Sequence, residues 1–258
     1  MRIVIIGSGN VANILGRRCR QAGHTIVQVY GRNRQAVAAL ADLLGAAVAT
    51  KTAELDNTVD VYLLAVSDGA VAAVAGALKP RNSLLLHTAG SVSKEVLSTA
   101  AARYGVLYPL QSLRKEMERL PEIPLLIDGN TAESLQEIET LATSLSEQVQ
   151  QADDNKRLHL HVAAVVVSNF TNHLYTLADN YCKAEGLDFS LLYPLINEVA
   201  QRLQLASPAA LQTGPAIRND TPTIEKHLIL LQEYPALQKL YSLFSESIRE
   251  SSVVNHQS

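Results

Sequence analysis

The sequence predicts an α/β domain, an N-terminal parallel sheet with helices, followed by a C-terminal all-helical domain. Three observations predict it. Residues 1–152 alternate short β-branched runs with helical patterns, as βαβ units do. From Asp153 to Glu250 no strand pattern recurs and the periodicity is helical. The apolar fraction, 47%, comes mostly from Ala, Val, Leu and Ile, with three Phe and no Trp, which suits a sheet covered on both faces. The expected domains are therefore 1–152 and 153–258.

Strands are expected at Ile3–Ile6, Thr25–Tyr30, Ala47–Ala49, Val61–Val66, Ser83–His87, Val106–Tyr108, Leu125–Ile127 and Gln148–Gln150. Helices are expected at Val11–Ala22, Arg34–Leu44, Ala70–Leu78 and Ala132–Leu145. In the C-terminal domain a single long helix is expected over Asp153–Glu185, then Phe189–Leu205, Thr223–Gln232 and Leu237–Arg249, punctuated by Gly186, Pro208, Gly214, Pro215, Pro222 and Pro235. The polar tail Ser251–Ser258 is expected to fray.

Charge and length set the function classes. Lys plus Arg is 22 against 25 for Asp plus Glu, a net charge of −3, so nothing favours nucleic acid as a partner. Apolar runs such as Val162–Val167 are far too short to span a bilayer, and the opening strand lacks the features of a signal peptide. Cys19 and Cys182 form no C-x-x-C pair. The expectation is a cytoplasmic protein with no membrane contact.

Gly7-Ser8-Gly9-Asn10-Val11-Ala12 is a G-x-G-x-x-A fingerprint that follows an apolar strand and opens a helix, the context a dinucleotide site requires. Gly7 permits the tight turn, Gly9 lets the backbone approach a pyrophosphate, and Ala12 allows close helix–strand packing. Free amides at the helix start favour a phosphate. The N-terminal half is thus expected to be a Rossmann-type domain. After the second strand, where an acid usually holds the ribose of NAD, stand Arg32, Asn33 and Arg34. Guanidinium groups suit a 2′-phosphate, so the expected cofactor is NADP(H). Ala65, Val66 and Ser67 end the fourth strand and His87 the fifth, and both segments are expected to face the cofactor. Asp68 is open to a plain helix N-cap role.

On the long helix, at about 100° per residue, His161, Ser168, Asn169 and Asn172 fall within roughly one 100° arc. Polar groups among Val162, Val165, Val166, Val167 and Phe170 need partners, either inside the core or in a cleft between the domains. His159 lies nearly opposite His161, a poor metal pair, and no metal is expected. Thr213–Asp220 is a donor-rich loop in which Arg218 can hold a substrate anion or pair with Asp220. His227 follows on the next helix.

These segments resemble a family that joins a Rossmann-like NADP-binding domain to a C-terminal helical domain of unknown function. The resemblance rests on Gly7–Ala12, Ala65–Asp68, His87–Ser91, Pro109-Leu110-Gln111-Ser112, His161 with Ser168-Asn169, and Thr213–Asp220 with His227. Two positions depart from the family pattern. Tyr108 stands where His usually precedes Pro-Leu-Gln, and Asn219 where Gly follows the later Arg. Asn tolerates the left-handed conformation that Gly would supply. The Tyr108 change removes a possible proton donor but keeps a hydrogen bond. More distantly the layout is similar to pyrroline-5-carboxylate reductase and the deazaflavin-dependent NADP oxidoreductases, which implies a substrate between the domains and dimerising helices.

The expected function is therefore an NADP-dependent oxidoreductase acting on a small carbonyl, imine or alcohol. His161 is the expected proton donor or acceptor, Asn169 the holder of a substrate oxygen or the cofactor carboxamide, and Arg218 the anchor of an anionic group. The alternative is an NADP(H)-binding regulatory or scaffold protein without turnover. The apolar helical half implies a homodimer formed by residues after Asp153.

Overall fold

The computed structural model describes residues 1–255. Eight strands form one sheet: β1 (Arg2–Ile6), β2 (Thr25–Tyr30), β3 (Ala47–Ala49), β4 (Val61–Leu64), β5 (Leu84–His87), β6 (Tyr104–Pro109), β7 (Leu125–Gly129) and β8 (Val149–Gln151). Their order is β3-β2-β1-β4-β5-β6-β7-β8. The helices are α1 (Asn10–Gln21), α2 (Arg34–Leu44), α3 (Val71–Gly76), α4 (Ala132–Leu145), α5 (Asp154–Ala164), α6 (Thr171–Ala184), α7 (Tyr193–Arg202), α8 (Thr221–Leu230) and α9 (Pro235–Asn255).

Alternate residues of each central strand feed two different cores, as a pleat requires. Ile3 and Ile5 of β1 pack with Ile14, Leu15, Leu40, Leu44, Ile138 and Leu141, while Val4 and Ile6 pack with Val71, Ala75, Leu78 and Leu97. Both faces are apolar and buried, which is why these strands read as continuous hydrophobic runs.

The sheet is parallel, as expected, except at one pair of strands. β7 runs antiparallel to β6, with Gly105 opposite Gly129 and Pro109 opposite Leu125. A parallel return needs a crossover, usually a helix. The connection 110–124 carries Pro121, Pro124 and no apolar periodicity, so the chain turns straight back. Arg17 of α1 grips this connection through the carbonyls of Met117, at 2.7 Å, and Glu118, at 2.9 Å, and Arg18 through that of Pro121.

Other differences are local. The helix expected over Asp153–Glu185 is interrupted by a π-helical turn, Val165–Phe170, between α5 and α6. The helix expected over Phe189–Leu205 begins as a 3₁₀ turn, Phe189–Leu192, and ends at Arg202. The tail expected to fray is helical through Asn255, and its last three residues lie outside the described ones.

By internal contacts the chain divides into two compact units, Met1–Ser168 and a second beginning at Asn169. This division falls inside the π turn, whereas strands give way to helices at Asp153. The first unit thus holds the whole sheet and α5. In the second, Tyr181 and Tyr234 stack edge to face, and His227 Nδ1 lies 2.7 Å from Tyr241 Oη. No helix among the described residues is long and apolar enough to cross a membrane.

Candidate functional site

Strand order reverses about β1, with β2 on one side and β4 on the other, and such a switch point opens a crevice at the carboxyl ends. A cleft of about 680 Å³ lies there, lined by Gly7, Ser8, Gly9, Tyr30, Gly31, Arg32, Asn33, Ala65, Val66 and Ser67, and closed by Ala73, Val74 and Ala77. Gly7 has φ +124°, and a Cβ there would stand 2.1 Å from the Ala65 carbonyl oxygen. Gly9 is the N-cap of α1 and offers no side-chain cap, and the first turn carries no acid. A Cβ on Gly9 would meet nothing within 4 Å. Open space therefore faces uncapped helix amides, the arrangement that receives a phosphate.

The expected cofactor residues do not all meet there. Asn10, Val11, Arg34 and His87 are absent from the lining. Asn10 Oδ1 instead accepts from the Lys115 amide at 3.2 Å, tying the 110–124 connection to the start of α1. Asn33 lines the cleft but its Oδ1 caps α2 through the Ala36 amide, 3.0 Å away. Arg32 and Arg34 are exposed and join no ion pair among the described residues. Asp68 is not an N-cap. Ser67 holds that position, and Asp68 accepts from Ser91 Oγ at 2.5 Å.

A polar cluster lies beyond β5. Arg157 of α5 is 1% exposed, and its Nη2 donates to the Val92 carbonyl at 2.5 Å and to Asp154 at 2.7 Å. Asp154 also accepts from Ser93 Oγ and from the Lys94 amide. Partial burial works against its carboxylate, but the Ser93 and Arg157 hydrogen bonds, the Lys94 amide and the Arg157 charge outweigh it and hold its pKa below the usual range. Lys94 reaches across to Asp128 of β7 at 2.6 Å. Sequence reasoning missed this cluster, whose members come from segments far apart in the chain.

His87 is fully buried, and its Nδ1 accepts from the Ala89 amide at 3.2 Å. Burial, reinforced by the Arg157 charge, pushes its pKa down to about 4. It stays neutral at physiological pH and shapes the Thr88–Ser91 turn rather than exchanging protons.

His161, also on α5, is half-buried, and its Nδ1 lies 2.9 Å from Tyr108 Oη. Asn169 and Arg218 belong to the second unit and are exposed. Ser168 is half-buried and Asn172 exposed. The π turn advances less per residue than an α-helix, so positions beyond it leave the arc drawn at 100°. Arg218 forms no ion pair with Asp220, which caps α8 through Thr223. Asn219 has φ +53°, the left-handed conformation expected of the residue that stands for Gly. Thr213 and Pro215 line a second, smaller cleft of about 270 Å³ with Leu174, Leu240, Tyr241 and Phe244. Among the described residues no three His, Cys, Asp or Glu side chains gather as a metal site.

Comparison with known proteins matches two segments of the chain. Residues 2–89 match the family described as NADP oxidoreductase, coenzyme F420-dependent, and residues 123–248 match a domain of unknown function, DUF2520. A Bacteroides fragilis protein described as an NADP oxidoreductase is 38% identical, over 96% of this chain and 98% of that one, with a TM-score of 0.90. This chain belongs to that NADP oxidoreductase family. The family's cofactor is NADP, and the Gly7–Ser67 cleft has the shape and uncapped amides to hold it. An imine reductase from Myxococcus stipitatus solved with NADP+ shares the fold at 18% identity and a TM-score of 0.66, over 99% of this chain and 96% of that one. Pyrroline-5-carboxylate reductase from Streptococcus pyogenes does so at 15% and 0.65, over 97% and 98%. No curated protein matches the chain.

Burial of a neutral His87 ties the stability of this NADP oxidoreductase to pH. The folded protein binds this proton only near pH 4, the unfolded chain near 6.5. His87 thus contributes full stability above about pH 6.5, and the contribution is lost as pH falls from there toward 4. The shift corresponds to roughly 3 kcal/mol at most. Urea unfolding at a series of pH values should show this acid-side loss in wild type and a flatter dependence in His87→Gln.

Proposed function

We propose that this protein reduces a small carbonyl or imine with NADPH, or oxidises the matching alcohol with NADP+, and that His161 exchanges the proton. The observation that carries the proposal is positional. The Gly7–Ser67 cleft and the Tyr108–His161 pair both lie at the carboxyl edge of β1, β4, β5 and β6, strands that run parallel in one sheet. An imidazole can both donate and accept a proton in such a transfer. NADP, when bound, supplies or accepts the hydride. The chain's own residues then hold phosphates (the Gly7–Gly9 turn), select the 2′-phosphate (Arg32, with Arg34 nearby) and move a proton (His161). Asn169 is proposed to hold a substrate oxygen, and Arg218 an anionic group, on the chemistry of their side chains. The imine reductase and pyrroline-5-carboxylate reductase likenesses support the carbonyl-or-imine class.

We further propose a homodimer formed mainly by residues after Asp153. Val167 is 71% exposed, Leu191 77% and Leu205 84%, with Leu195 and Val199 exposed beside them, more apolar surface than a solvated helical unit carries. The proposed setting is the cytoplasm, where the buried thiols of Cys19 and Cys182 remain reduced.

Three measurements test these readings. By calorimetry NADPH should bind at least tenfold more tightly than NADH, about 1.4 kcal/mol, and Arg32→Ala should erase most of that preference. Equal wild-type affinities would sink the 2′-phosphate assignment. Across a panel of small aldehydes, ketones, cyclic imines and alcohols, His161→Ala should lower turnover roughly 10²- to 10⁴-fold with NADPH affinity nearly intact. No NADPH consumption by wild type on any of them would favour a binding protein without turnover. Light scattering at micromolar concentration should give twice the chain mass, and a monomer would end the dimer proposal.

A further inference from the structure

We propose that Tyr108 is a positioning residue: its hydroxyl engages Nδ1 of His161 and so assigns proton exchange with substrate to Nε2, and Gly90 is the slot in which the pair forms. The proposal deepens the reading of His161 as proton donor and rests on it. Tyr108 sits on β6, Gly90 follows β5, and His161 is on α5, all within the first unit. Tyr108 Oη and His161 Nδ1 are 2.9 Å apart, with the rings edge to face at 5.9 Å and 70°. A Cβ on Gly90 would stand 2.8 Å from His161 Nδ1 and 2.9 and 3.0 Å from Cζ and Cε2 of Tyr108. A side chain at position 90 and this pair exclude each other.

The helix is held so that the pair can form. Arg157, one turn before His161 on the same face, is locked to Val92 and Asp154. His161 Nε2 has no partner among the described residues, so Nδ1 is the nitrogen the protein holds. Which imidazole nitrogen reacts is set by the bond the other makes. In the imidazolium, Nδ1–H donates to the phenol oxygen. During reduction the substrate carbon gains the hydride and its electron pair from the reduced nicotinamide. The substrate nitrogen or oxygen gains the Nε2 proton. His161 becomes neutral with Nδ1–H still donating to Tyr108, and solvent restores the proton. Burial, with the Asp68 charge and against that of Arg157, raises the Tyr108 pKa, so the phenol keeps its own proton throughout.

The test uses the full chain, ¹⁵N-labelled at histidine, with NADPH bound, and 1-pyrroline as the imine probe. Tyr108→Phe removes only the hydroxyl. Gly90→Ala keeps both side chains but fills the slot and forces them apart, and serves should Tyr108→Phe fold poorly. In both variants the His161 Nδ1 resonance should move by more than Nε2. Turnover of 1-pyrroline should fall about tenfold, less than on loss of the imidazole, with KM and NADPH affinity within twofold. An unmoved Nδ1 resonance in the folded variants overturns the pairing. A moved resonance with unchanged turnover, while His161→Ala is impaired, overturns the positioning role but leaves His161 as the acid. If His161→Ala itself turns over normally, the reading of His161 as proton donor is what fails, and the positioning role falls with it.

Discussion

The backbone of Gly7 meets the carbonyl of Ala65 so closely that no side chain fits between them. Around this contact the Gly7 amide donates to Tyr30 at 2.7 Å and the Ala65 amide to Ile6 at 2.8 Å. Three strand ends, β2, β1 and β4, are thereby stitched at the reversal of strand order. Everything a nucleotide would touch hangs from this seam. The turn that presents the α1 amides leaves it in one direction, the Gly31–Arg32 segment in another, and Val66–Ser67 in a third. Glycine reaches this positive φ without the clash a side chain would make, in front of a sheet buried and apolar on both faces.

A second constraint governs the far side of the carboxyl edge. A buried guanidinium needs hydrogen bonds, and Arg157 makes its own through Nη2, to Val92 in the segment that follows β5 and to Asp154, while Nε and Nη1 stay buried without a partner among the described residues. Burial keeps its neighbour His87 neutral, and the Arg157 charge reinforces it. One buried cation therefore ties the α5 face to the Val92–Lys94 turn and adds to the burial that keeps His87 neutral, while His161, one turn further along α5, stays half-buried.

How much of this was legible follows from the kind of information involved. Strand and helix bounds such as Thr25–Tyr30, Arg34–Leu44 and Ala132–Leu145 are encoded locally, by β-branched runs and by Asn33 and Thr131 as caps, and the structure returns them unchanged. The fingerprint was legible because its glycines answer to local geometry. Strand direction was not. Nothing in Leu125–Gly129 states that it runs backward, because that follows from what the preceding connection lacks. The π turn hides in a run of valines, where a five-residue and a four-residue hydrogen-bond step look alike. The Tyr108–His161 contact spans 53 positions and has no local signature. Only the tyrosine ahead of Pro109-Leu110-Gln111 hinted that something there had been exchanged.

The antiparallel strand bears on how such a protein can be inherited. The segment matched to the domain of unknown function starts at residue 123, ahead of β7, so it carries two strands of the sheet along with the helices. β6 and β7 share a five-residue ladder, and at Gly105 the two backbones touch as closely as at the nucleotide turn. A gene break between the two segments would leave β6 as a bare edge of unpaired amides, a template for aggregation. The two segments are thus not freely exchangeable cassettes. Recombination could join this helical segment to another nucleotide-binding half only if that half offered the same edge, and the pair is expected to travel through evolution as one.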